Sequence, residues 1–109
     1  MTTISQYIMG LLQDDILSHG LLVQCVEQGE RGDKATMSAL KDVLAELLSD
    51  EVEIGSAKST ANDYVEFIAW KGNVSERIDR AIECVDKAVG PDKEFAYWLC
   101  LRKNIDRYE

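Results

Sequence analysis

Apolar positions recur along this chain first at helical spacing and later in denser, strand-like runs. Ile4, Ile8, Leu11 and Leu12 predict a short first helix, and Asp14-Asp15 stands as a cap for a second helix bearing Leu17, Leu21, Leu22, Cys25 and Val26. Gly20 weakens that second helix slightly. After a loop with Gly29, Gly32 and several charges, Asp33 or Thr36 can cap a third helix whose Met37, Leu40, Val43, Leu44, Leu47 and Leu48 share one face. It ends at Ser49-Asp50-Glu51, after which Val52-Glu53-Ile54-Gly55 alternates as a strand does. Tyr64 to Trp70 is rich in residues that favour a pleated, half-buried surface, and Gly72-Asn73 breaks the run. Strands 52–57 and 64–71 are therefore expected to form a hairpin across the polar, turn-forming residues between them.

Asn73 can cap the next helix, with Glu76 three residues on in the manner of a capping box. Val74, Ile78, Ala81, Ile82, Val85 and Val89 then make one apolar stripe over 74–89, and Gly90-Pro91 stops it. Phe95 to Leu101 reads as a strand buried on both faces, with a helix started by Pro91 as the alternative. Ala61, Tyr64, Val65 and Ile68 also fall at helical spacing, so an all-α bundle remains a competing architecture. The preferred expectation is one α+β domain over residues 1–109: three amino-terminal helices, a β-hairpin, a capped helix and a third antiparallel strand.

Composition narrows the chemistry. Twelve Lys and Arg against twenty Asp and Glu leave a net charge of −8, which repels phosphate backbones. The imbalance sits in the first half, where residues 1–54 carry three basic and ten acidic side chains. Cys25, Cys84 and Cys100 have no C-x-x-C spacing and stand in apolar contexts, so buried free thiols are expected. The start, Met1 to Gln6, lacks the basic and apolar regions of a signal peptide, and no apolar run approaches membrane length. A cytoplasmic protein without membrane association is the expectation.

Helix, helix, helix, hairpin is an order that resembles winged helix-turn-helix domains, over roughly residues 14–71, with Leu44 to Gly55 similar to a third helix running into the wing. Trp70, the pair Glu76-Arg77 and Trp98 are also similar in placement to those of a group of small, poorly characterised bacterial proteins of that shape. The resemblance implies an architecture and no particular activity. As a DNA reader the third helix would present Lys34, Lys41, Asp42 and Glu46, with neither Arg nor Asn or Gln to read base edges, and only Lys58 and Lys71 could help from the wing.

His19 follows Asp15 by four residues, but two ligands are too few for a metal, and Ser18 beside it would point away on a helix. Hydrolase, zinc-protease, Walker and dinucleotide glycine patterns are absent, so neither catalysis nor a cofactor is expected. Trp70, Trp98, Tyr97 and Phe67 read as core in preference to a ligand pocket. Glu46, Asp50, Glu51 and Glu53 form an acidic cluster whose functional reading is a docking edge for a basic protein partner. The expected function is thus a non-enzymatic protein-protein interaction module, which could also pair with itself. The alternative is a nucleic-acid-binding regulator in which Arg77, Arg80, Arg102, Lys103 and Arg107 converge into one patch; interleaving with acids would count against it.

Overall fold

In the computed structural model, which describes residues 3–29, 37–59 and 65–108, helix α1 (Thr3–Leu12) buries Ile4, Ile8 and Leu12, one residue per turn on one face. Its last carbonyls are met from the far end of the chain: buried Asn104 donates through Nδ2 to the Leu12 and Gln13 oxygens at 3.1 and 3.2 Å. That side-chain amide supplies the partners a helix end leaves open.

The second helix does not begin at Asp14-Asp15. Leu17 and Ser18 form a two-residue strand, β1, paired with Leu99 and Trp98, and helix α2 (His19–Gly29) starts after it. Ser18 Oγ accepts from the Leu21 backbone N–H at 3.4 Å, so the helix start lies next to the strand pairing. Helix α3 (Met37–Leu48) buries Leu40, Val43, Leu44, Leu47 and Leu48, as its periodicity predicts, whereas Met37, expected on the same face, is exposed at its first position. Asp33 and Thr36, its candidate caps, lie outside the described residues.

Strand β2 (Val52–Ser59) pairs with β3 (Val65–Ala69) on one side and with β4 (Trp98–Leu101) on the other, giving one antiparallel sheet in the order β1-β4-β2-β3. The fold is α+β, and the helical reading of the third and fourth strands is overturned by these ladders. The predicted boundaries shift where tertiary contacts compete. Trp70 leaves β3 to donate its indole N–H to Ser56 Oγ at 3.0 Å, while its backbone N–H reaches the Ile54 oxygen. Helix α4 (Val74–Lys87) opens on Asn73, whose side chain accepts from the Glu76 N–H at 2.8 Å, but it ends before Val89, which is exposed. Gly90–Phe95 is a 3-10 helix with Pro91 in its first turn and Gly90 at φ +59°, so the last strand starts at Trp98 and not at Phe95.

One face of the sheet packs on the helices, through Val52, Ile54, Leu99 and Leu101. The other holds a smaller cluster of Ile16, Phe67 and Cys100, with Ile105 of the carboxyl-terminal 3-10 segment (Arg102–Tyr108) packed against it. No helix among the described residues is long and apolar enough to cross a membrane.

Candidate functional site

The four carboxylates of the predicted acidic edge separate into two pairs. Asp50 and Glu51 stand exposed in the turn between α3 and β2. Glu46 is half-buried and accepts a hydrogen bond from Ser5 Oγ, joining α3 to α1. Glu53 is more deeply engaged: one carboxylate oxygen receives Arg77 Nη1 at 2.9 Å and the other receives Arg102 Nε at 3.0 Å. Arg77 is itself buried, and its Nε also donates to the Asn73 oxygen. A charge this far out of water needs the carboxylate opposite it.

Four of the five carboxyl-half cations make side-chain contacts of their own. Arg77 and Arg102 meet on Glu53, the Arg80 guanidinium lies 4.3 Å above the Trp70 ring, and Lys103 Nζ donates to Gln13 Oε1 at 2.8 Å. Lys58 faces Glu66 at 3.6 Å, and Lys87 pairs with Glu83 one helical turn away. Lys34 lies outside the described residues, and Lys41 and Asp42 are exposed on α3.

Asp15 and His19 do not share a helix face, since β1 intervenes. His19 is buried, its Nδ1 2.8 Å from the Tyr97 hydroxyl, beside a cavity of about 60 Å³ walled chiefly by Leu40, Leu44, Ile82 and Val85. Burial, reinforced by nearby Lys93, lowers the His19 pKa below 6.5, and burial raises that of Tyr97. The pair ties the start of α2 to the residue before β4, with the His19 backbone N–H also donating to the Tyr97 carbonyl oxygen at 3.2 Å. Among the described residues no group of His, Cys, Asp and Glu could hold a metal ion.

All three cysteines are free, but only Cys100 is buried; Cys25 and Cys84 are half-buried, which corrects the expectation of three core thiols. Burial pushes the Cys100 thiol up to about 11 and raises Cys25. The aromatic set divides as well. Trp70 and Tyr97 belong to the main core and Phe67 to the smaller one, whereas half-buried Trp98 stacks on exposed Phe95 and lines an open groove.

That groove was not foreseen, because Leu11 and Leu21 read as members of buried helical stripes. They are 38% and 46% exposed, and Tyr7 is 60% exposed. Three adjoining concavities of about 260, 340 and 300 Å³ run along the seam of α1 and α2 and onto the second face of the sheet. The first two share Tyr7, Cys25 and Gln28, and the last two share Asp15, Ile16 and Leu21. Compared with family models, curated proteins and solved structures, the chain has no match.

Proposed function

We propose that this protein is a non-enzymatic interaction module, winged-helix-like in shape, whose partner is a basic protein. The observation that carries the reading is the charge map. Arg77 and Arg102 are joined on Glu53, Lys58 and Lys87 each face a glutamate, and Arg80 lies on Trp70, so these cations are engaged within the fold and a phosphate backbone would compete with their own partners. Asp14, Asp15, Asp50 and Glu51 are meanwhile exposed on a chain of net charge −8. Such a field speeds encounter with a cationic partner and disfavours a like-charged one. The winged-helix-like description rests on three helices followed in sequence by the antiparallel pair β2 and β3.

The test uses the tagged protein to capture partners from its native extract, followed by association kinetics with the captured species. Capture of a basic protein is expected, with an association rate that falls as salt rises from low to physiological levels. Asp50→Lys with Glu51→Lys should slow association roughly tenfold while leaving the melting temperature nearly unchanged, because both side chains are exposed. A double variant that associates as fast as the parent at low salt sinks the reading. So does tight duplex DNA binding by the parent protein.

A further inference from the structure

We infer that the groove between α1 and α2 is the docking site, and that its occupant is a basic amphipathic helix of the partner. This deepens the reading above and rests on it for the sign of the partner's charge. Three large apolar side chains, Tyr7, Leu11 and Leu21, stand out of the core along one continuous depression. A contiguous exposed apolar surface of this kind marks an interaction site more often than scattered apolar residues do.

The walls decide the shape of the occupant. The described walls of two of the three concavities come from α1, α2 and the residues between them. Within a helix the backbone groups are already paired, so an extended peptide laid on this floor would desolvate its own N–H and C=O groups without recompense. Strand β1, at one edge of the sheet, offers only two residues for pairing, and β3, at the other edge, reaches only the third concavity, through Val65. A helix arrives with its backbone satisfied and presents apolar residues at i, i+3, i+4 and i+7 to such a seam.

The charges decide its composition. Residues 3–29, which build both helices, contain Asp14, Asp15 and Glu27 and no Lys or Arg. Asp15 is exposed and stands where the second and third concavities join. Lys58 enters only at the far end, where Glu66 faces it. A lysine- or arginine-flanked apolar stripe complements this rim. A second copy of the chain does not, because a self-paired interface on this face would set two Asp15 rims against each other between chains that each carry −8.

The probe is a helical peptide of leucine and lysine, about eighteen residues long so that helix is well populated, with leucines at i, i+3, i+4 and i+7. Its controls are the same pattern with glutamate for lysine, and the same composition in strict alternation. Titrated into the labelled protein, the leucine-lysine helix should shift the amide signals of Tyr7, Leu11, Leu21 and Cys25 and slow alkylation of half-buried Cys25. Leu21→Asp and, separately, Tyr7→Ser should each weaken it about tenfold or more; both side chains are exposed, so the fold should survive either change. Equal affinity for the glutamate or alternating peptide overturns the inference. A dimer of the parent protein that Leu21→Asp dissociates also overturns it, in favour of a second copy. Shifts confined to Asp50 and Glu51, or no binding of the peptide, overturn the groove while a slowed Asp50→Lys, Glu51→Lys variant would leave the basic-partner reading standing.

Discussion

Glu53 shows how one residue can look like surface and act as a joint. In the sequence it alternates with Val52 and Ile54, which assigns it to the solvent side of a strand. In the fold its two oxygens bind Arg77 and Arg102, which lie 24 and 49 residues further on, and no local pattern encodes separations of that size. The two partners are not equivalent: the Arg77 side chain is 10% exposed and the Arg102 side chain 59%. Removing the carboxylate strands a buried guanidinium, so Glu53→Ala should destabilise the protein by about 3 kcal/mol. Arg102→Ala breaks a solvent-screened contact and should cost less than about 1 kcal/mol. Urea denaturation of both variants checks the ordering, and equal losses would show that the buried half of the triad has no special weight. Asp50 and Glu51, by contrast, were legible as exposed acids because a turn of Ser49-Asp50-Glu51 needs no distant partner to be read.

At the scale of elements, β2 carries the sheet, since it pairs with β4 along Val52–Gly55 and with β3 along Gly55–Ser59. Gly55 belongs to both ladders, and a Cβ built there would lie 2.0 Å from the Ile68 carbonyl oxygen and 2.9 Å from Ala69 Cα. Both obstacles are backbone, so the clash has no flexible side chain to relieve it. Gly55→Ala should therefore cost roughly 2–4 kcal/mol, at the upper end of what overpacking does, and should broaden the amide signals of β3 before those of α1. A variant as stable as the parent would mean the strands part more easily than this close approach implies. Long periodic elements such as α3 and α4 were readable because many residues repeat one instruction. Strand β1 was not: two residues carry no period, and their pairing partners, Leu99 and Trp98, lie some eighty positions away. The same limit hid the groove. Periodicity groups Leu11 with Leu12 and Leu21 with Leu22, and only packing reveals that one of each pair is left outside.

For the whole molecule, lowering the pH sets two effects against each other. The chain carries −8 at neutrality and has a pI of about 4.6, so mild acid reduces self-repulsion and favours the folded state. His19 acts the other way. Its pKa is held below the ordinary 6.5 by burial and then by Lys93, so the folded state resists a proton that the unfolded chain accepts. Above 6.5 both states are neutral at this site and nothing is lost; below 6.5 the unfolded state binds more protons and stability falls until the lowered folded pKa is reached. Between pH 7.5 and 5.5 this loss is at most about 1.4 kcal/mol, one tenfold change in proton occupancy. The environment argues for a real effect. Around the ring stand the Tyr97 hydroxyl, the apolar wall of Leu40, Leu44, Ile82 and Val85, and the cations Lys41 and Lys93, with no carboxylate among the described residues of the cavity's walls to accept a new positive charge. His19→Gln keeps a polar side chain beside Tyr97 but cannot titrate, so its stability should rise or hold steady from pH 7.5 to 5.5 as repulsion eases, while the parent protein loses ground relative to it. The difference between the two curves isolates the histidine from every carboxylate they share. Parallel curves would mean that the His19 site accommodates the proton, and that α2 stays fixed to β4 through acid conditions that should otherwise loosen one wall of the groove.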